Sequence, residues 1–327
     1  MSKSDELLNQ LHRFEVTGLI GLSTAAAAAV AASGPMLPGL YSHNRSVLTL
    51  QLDEMVGKRS IIPARAAREM ARKLELTMDR LMLELLPIAR GFARAPISHY
   101  RVGVVGKGKK GDLYFGYNIE FLHVPLSYTV HAEQAIVAQA LMRGETSLEA
   151  VALFDTPSGL CRQFLNELPS AGNARILTPS RRPVRLRTLL PNFFGPQDLG
   201  QAGGLLGSSP WNLHLPGKKA DELSEAALAA ARKSYAPYSQ SPSGVALQTT
   251  SGKIYVGGCA ENAAFNPSMS PLQGAIVNLV ADHAEYRDIE RAVLVEKEGA
   301  PASQEGATRN LLSALNPKAR LTVLKAR

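Results

Sequence analysis

Apolar residues change texture along this chain, and each texture predicts an element. Over residues 63–94 they recur at helical spacing, with Leu74, Leu81, Leu85 and Ile88 as the repeating positions. Thr77 is placed as a helix N-cap there, and Pro87 as the start of a new helical segment. Residues 97–105 are rich in β-formers, residues 106–111 (GKGKKG) read as a turn, and residues 113–117 read as a second strand, which predicts a hairpin. Residues 131–142 read as a helix stopped by Gly144. Residues 150–154 form a continuous apolar run, as in a strand buried on both faces. Residues 159–168 predict a helix and residues 174–177 a strand. Hairpin, helix, strand, helix, strand is the order of a three-layer α/β/α domain.

The stretch 195–217 is rich in Gly, Pro and Ser and has no period, so it reads as a linker. After it the order recurs. Helix is expected over 221–234, strands over 243–249 and 253–256, helix over 271–281, strand over 292–295, helix over 308–315 and strand over 321–324. Residues recur as well. The segment from Ala95-Pro96-Ile97-Ser98 to Val104 parallels that from Ala236-Pro237-Tyr238-Ser239 to Leu247. Asn118-Ile119-Glu120 parallels Cys259-Ala260-Glu261. The helix that opens at His131 parallels one that opens near Pro271; there His131 is matched by Pro or Leu according to where a gap is placed, and Glu133 by Gln273. Agreement of separate segments in order and spacing marks an internal repeat. The expected organisation is a helical N-terminal region (1–73), a first α/β/α copy (74–195), a linker (196–220) and a degenerate second copy (221–327).

Composition narrows the class. The 327 residues are 45% hydrophobic and 20% charged, enough for two globular domains with cores of their own. Net charge is +8, but the excess is spread along the chain. Its densest part, residues 181–187, reads as a solvated loop and edge strand, and no interleaved aromatic and basic track for nucleic acid is evident. Two cysteines, Cys161 and Cys259, make no disulfide framework, so a reducing compartment is expected. Residues 16–33 are uncharged and almost long enough to span a bilayer, but they are mostly small residues that insert poorly. An accessory helix of a cytoplasmic protein, without a membrane partner, is expected there.

The chemistry concentrates in Thr129-Val130-His131-Ala132-Glu133-Gln134 and in Thr156-Pro157-Ser158-Gly159-Leu160-Cys161. A His and a Glu two apart, followed by a Pro-Cys-x-x-Cys turn, form the signature of zinc-dependent nucleoside and nucleobase deaminases. The His holds zinc, and the Glu, which is no ligand, moves protons. Here the first cysteine position is Ser158. A serine hydroxyl stays protonated near neutral pH and binds zinc weakly beside a thiolate, while Ser is also a favoured helix N-cap. Ser158 is therefore expected to be a weak ligand or none. His99 and His123 lack supporting neighbours and default to structural or solvent-facing roles.

With its motifs ARAPISHYRVG, YNIEF, TVHAEQ, CRQFLNEL, FFGPQDL, SYAPYS and ENAAFNPSM, the chain resembles the long, two-domain, homodimeric cytidine deaminases of bacteria and plants. The likeness runs from about Leu74 to the C-terminus. It implies zinc-dependent deamination of cytidine and deoxycytidine by the first copy, with Zn²⁺ on His131 and Cys161 and with Glu133 as the proton shuttle. It also implies that Asn118 and Glu120 contact ribose, that Tyr100 stands where a Phe usually packs on the base, and that the Ala132 backbone reads the pyrimidine. Phe194 would close the pocket across a homodimer interface. Ser158 motivates an alternative: a catalytically impaired homologue that binds nucleoside or stabilises a partner.

Overall fold

Short runs of β-branched and aromatic residues, bounded by glycine or polar turns, favour extended backbone. In the computed structural model, which describes residues 43–201, 204–217 and 220–327, they build two sheets. The first holds β1 (Ile61–Ile62), β2 (Gly103–Gly108), β3 (Leu113–Tyr117), β4 (Leu148–Leu153), β5 (Arg175–Thr178) and β6 (Arg181–Arg185), in the order β1-β3-β2-β4-β5-β6. The second holds β7 (Ser243–Thr249), β8 (Ile254–Gly258), β9 (Ile289–Lys297) and β10 (Arg320–Ala326), in the order β10-β9-β7-β8. Each contains an antiparallel hairpin, β2–β3 or β7–β8, followed by a parallel pair, β4–β5 or β9–β10. The two tandem α/β copies expected from the repeat are present.

The helices are α1 (His43–Val56), α2 (Ala64–Lys73), α3 (Met78–Glu84), α4 (Leu86–Gly91), α5 (Ala132–Met142), α6 (Gly159–Leu165), α7 (Leu186–Leu189), α8 (Glu222–Lys233), α9 (Pro271–Ala281) and α10 (Glu305–Leu315). Thr77 caps α3, accepting from the Arg80 N–H at 3.2 Å, and Pro87 falls in the first turn of α4. Residues 48–327 make one compact unit. Residues 48–73, expected in an accessory region, supply β1 at the edge of the first sheet and bury Leu52, Val56, Ala67 and Met70. The stretch 16–33 lies outside the described residues. Between the copies, Leu205 and Leu213 are buried, and Trp211 donates from Nε1 to the Ser234 carbonyl at 3.0 Å. The Arg-rich β6 is an edge strand whose residues are mostly exposed. Among the described residues no helix is long and apolar enough to cross a membrane.

The first expected strand starts six residues late. Residues 97–102 form a turn and irregular backbone, and β2 begins only at Gly103. β-propensity loses here because the Ile97 and Ser98 N–H groups are taken by the Glu120 carboxylate, at 2.9 Å each, and His99 adopts a left-handed φ of 57°. The turn of the hairpin is correspondingly shorter than GKGKKG, since β2 runs to Gly108.

Helix α5 is apolar all round, and all but its last residue are buried, as a helix between a sheet and another helix must be. It packs on β3, β2 and α9. Close approach to β3 requires Gly116: a Cβ there would lie 2.1 Å from the Ala132 carbonyl oxygen and 2.7 Å from Ile136 Cγ2. Gly257 does the same for α9, where a Cβ would lie 2.4 Å from the Pro271 oxygen. Gly116→Ala is expected to destabilise the protein by about 1–3 kcal/mol, the usual cost of overpacking, and to shift the start of α5. Thermal unfolding together with zinc content would register both effects.

These contacts also set the register of the repeat. Both Gly116 and Gly257 face the first residue of a helix, so Ala132 corresponds to Pro271 and His131 to Ser270. The caps agree. Gln134 Oε1 accepts from the His131 N–H at 2.9 Å, and Gln273 Oε1 from the Ser270 N–H at 2.7 Å. The two glutamines then reach across a pseudo-two-fold: Gln134 Nε2 donates to the Pro267 carbonyl at 2.9 Å, and Gln273 Nε2 to the Tyr128 carbonyl at 2.8 Å. Hence His131 is replaced by Ser270, not by Pro or Leu, and Glu133 by Leu272, not by Gln273. The matching string Ala-Ile-Val in both helices suggested a register one residue off, because buried helix positions accept apolar residues interchangeably.

Candidate active site

Three chain segments meet at the start of α5. Val130 forms an antiparallel bridge with Ile119, with both hydrogen bonds at 2.9 Å. That bridge fixes His131 beside Asn118 and Glu120. His131 is the N-cap residue of α5 but makes no side-chain cap bond, so its imidazole is left for other work. The parallel pair β4–β5 delivers the third segment: the turn after β4 leads into α6, whose N-cap is Ser158 and whose third residue is Cys161. Sites of this kind gather at the carboxyl ends of parallel strands.

The side chains converge. Cys161 Sγ lies 3.5 Å from His131 Nδ1 and 3.1 Å from Glu133 Oε2. Ser158 Oγ accepts from the Cys161 N–H at 3.3 Å and donates to Cys161 Sγ at 3.1 Å. Burial pushes the Cys161 thiol above its ordinary pKa, and the Glu133 carboxylate pushes it further; the Ser158 hydrogen bond opposes in part. A protonated Cys161 sits comfortably against Glu133, and a thiolate requires a cation.

Zinc fits two of these donors. A nitrogen and a sulfur ligand on a tetrahedral zinc, at about 2.0–2.1 and 2.3 Å from it, stand roughly 3.5 Å apart, which is the His131–Cys161 separation. Among the described residues no group of three His, Cys, Asp or Glu side chains is arranged to hold a metal. Two oxygen groups stand beside the pair, the Ser158 hydroxyl and the Glu133 carboxylate, each 3.1 Å from Cys161 Sγ. Glu133 adjoins the pair from the first turn of α5.

Glu120 is clamped. Besides the two backbone bonds, its carboxylate accepts from the Ser98 hydroxyl. Burial works against its charge, but the Ser98 hydroxyl and the Ser98 and Ile97 N–H groups outweigh that and hold its pKa below the usual carboxylate value. Asn118 Oδ1 accepts from the Val102 N–H at 2.8 Å and its Nδ2 donates to the Tyr100 carbonyl at 2.9 Å, which leaves one N–H free. The Ala132 N–H is one of the helix-start donors without an intrahelical partner. Tyr100 is 62% exposed, and Phe194 is 47% exposed with its carbonyl held by Gln163 Nε2 at 2.8 Å. The described contacts do not bring either ring onto the cluster. His99 lies near enough to Glu120 for its charge to help lower that carboxyl's pKa.

Ser98 escaped the sequence reading, although a signal existed. Pro-x-Ser recurs at 96–98 and 237–239, and in each copy a Glu follows 22 residues after the Ser and bonds to it. Gln134 and Gln273 were invisible in the same way, because a lone buried Gln has no sequence mark.

Comparison with known proteins settles the family. Two family models, each described as the cytidine and deoxycytidylate deaminase zinc-binding region, match residues 77–173 and 186–309. A cytidine deaminase of Enterobacter sp. (strain 638) is 48% identical over 240 residues, 73% of this chain and 81% of its own length. One of Yersinia pestis (strain Pestoides F) is 49% identical over 237 residues, 72% of this chain and 80% of its own. This chain belongs to the cytidine deaminase family. A solved cytidine deaminase of Mycobacterium tuberculosis covers 36% of the chain at 30% identity, with a TM-score of 0.33. As the matching models are zinc-binding regions, the family's cofactor is zinc, and His131 and Cys161 are the side chains of this deaminase that meet in zinc-ligand spacing.

Proposed function

We propose that this chain catalyses zinc-dependent hydrolysis of cytidine and deoxycytidine to uridine and deoxyuridine, with release of ammonia. The observation that carries the reading is the meeting of His131, Cys161 and Glu133 in one buried cluster, in a chain about half identical to cytidine deaminases. Water is a poor nucleophile at neutral pH; bound zinc supplies the charge that lowers the pKa of water from 15.7 toward about 7. His131 and Cys161 would hold the ion, with Ser158 a weak ligand or none. Glu133 takes one proton from the attacking water and gives it to the ring nitrogen, then takes the second from the oxygen now bonded to C4 and delivers it to the departing amine. Glu120, ionised by its three donors, and the free N–H of Asn118 hold the sugar. Tyr100 packs on the base and the Ala132 N–H reads it.

The first copy (74–195) carries this chemistry. In the second (221–327), Ser270 and Leu272 offer neither ligand nor proton shuttle, and residues 196–220 join the two. The active form is a homodimer in which Phe194 closes the partner's pocket; the exposed rings of Phe194 and Tyr100 support this. The place of the reaction is cytoplasmic pyrimidine salvage. The nucleoside-binding alternative is less well supported, because His131, Cys161 and Glu133 converge in a chain about half identical to cytidine deaminases. Elemental analysis and an ammonia-release assay on the purified chain test the reading. About one zinc per chain and turnover of cytidine are expected; a zinc-loaded chain that converts neither nucleoside would end it.

A further inference from the structure

A cavity of about 670 Å³ is lined mostly by the second copy, with Ser127 and Tyr128 of the first, and falls within the usual range of roughly 300–1,000 Å³ for small-molecule sites. Its position follows from the corrected register. Ser270 stands where His131 stands. Helix α10 joins the parallel strands β9 and β10 as α6 joins β4 and β5. Its N-cap is Gln304, matching Ser158, and its third residue is Ala307, matching Cys161. Ser270, Gln304 and Ala307 all line the cavity. It has the placement of the active site, but neither His131 nor Cys161 has a ligating counterpart in Ser270 and Ala307, and Leu272 removes the proton shuttle.

The opposite wall is retained. Glu261 accepts from the N–H groups of Tyr238 at 2.9 Å and Ser239 at 3.1 Å and from the Ser239 hydroxyl, bond for bond as Glu120 does. Oε2 takes both amides and Oε1 only the hydroxyl, so Oε1 keeps acceptor capacity for a ligand hydroxyl. The rings of Tyr238 and Phe265, 6.3 Å apart between centroids, line the cavity together with Tyr128. Aromatic faces suit a planar base. The Gln304 carboxamide also lines it and has no protein partner among the described residues. Its adjacent acceptor and donor complement the edge of a base. Among the described residues no Lys, Arg or His lines this cavity while a carboxylate does, which disfavours a phosphate group.

We infer that the cavity between Glu261 and Gln304 is a second, non-hydrolytic binding site for a neutral pyrimidine nucleoside. The inference rests on the reading of Glu120 as a sugar contact in the first copy. Uridine is the probe, being a product that the chain does not convert. Calorimetry on the zinc-loaded, full-length protein should find two uridines per chain. Gln304→Ala should weaken one of them about tenfold, the loss of one or two hydrogen bonds of about 1 kcal/mol each. Ala307→Phe should fill the cavity and abolish that site, and His131→Ala should leave it in place. One uridine per chain, or two that neither Gln304→Ala nor Ala307→Phe alters, overturns the inference. So does uridine 5′-monophosphate binding there as tightly as uridine. A chain that deaminates cytidine yet binds one uridine refutes this site alone. A chain that binds uridine here but deaminates nothing refutes the reading of the first site instead.

Discussion

Ser158→Cys is expected to raise zinc affinity by at least about 100-fold, the upper end of what loss of a single outer-shell partner costs a metal site. Two effects compete in this substitution. Ser158 caps α6 through the Cys161 N–H, and losing an N-cap costs about 1 kcal/mol. The metal-free variant should therefore melt slightly below the parent. With zinc the order should reverse, because a 100-fold gain in affinity contributes about 2.7 kcal/mol when zinc is present in excess. The pH dependence has a definite sign. Cys161 is lifted above the ordinary thiol range, so zinc uptake must expel its proton, and affinity should climb about tenfold per pH unit below that thiol's pKa. Competition against a chelator across pH checks both statements. Unchanged affinity in the variant would mean that some group other than residue 158 completes the site.

Glu133→Gln is expected to lower kcat by about 10²–10⁴-fold, the usual contribution of a positioned general acid and base. The amide has the same shape and cannot take the proton. Zinc content should not fall, since Glu133 is not among the ligands proposed here. Its carboxylate raises the Cys161 thiol's pKa, and removing that charge should, if anything, strengthen binding. Parallel measurement of turnover and zinc separates the roles. Loss of metal together with activity would make Glu133 a ligand and would refute the proton-shuttle assignment.

Much of the site could be read from short motifs because each carries its own local geometry. His131 and Glu133 lie on one helix start, and Ser158 and Cys161 on another, so spacing alone brings each pair to one helix end. The strand expected over 97–105 starts only at Gly103 for the opposite reason: the Ile97 and Ser98 backbone donors are captured by Glu120, more than 20 residues later. Local propensity cannot register a partner that distant. The repeat was legible in order but not in register, since apolar strings match at more than one offset, and only the helix caps and the two glycines break the tie.

By itself, then, the sequence determined the two α/β copies, the family and its zinc chemistry. These follow from periodicity and from residue types at fixed short spacing, which survive any folding detail. The tertiary structure alone decided that Cys161 Sγ lies 3.5 Å from His131 Nδ1, that Ser98 clamps Glu120, and that Ser270 occupies the place of His131. Each of those depends on chain segments far apart in sequence being held by a sheet, and the sheet's pairing is a property of the whole fold.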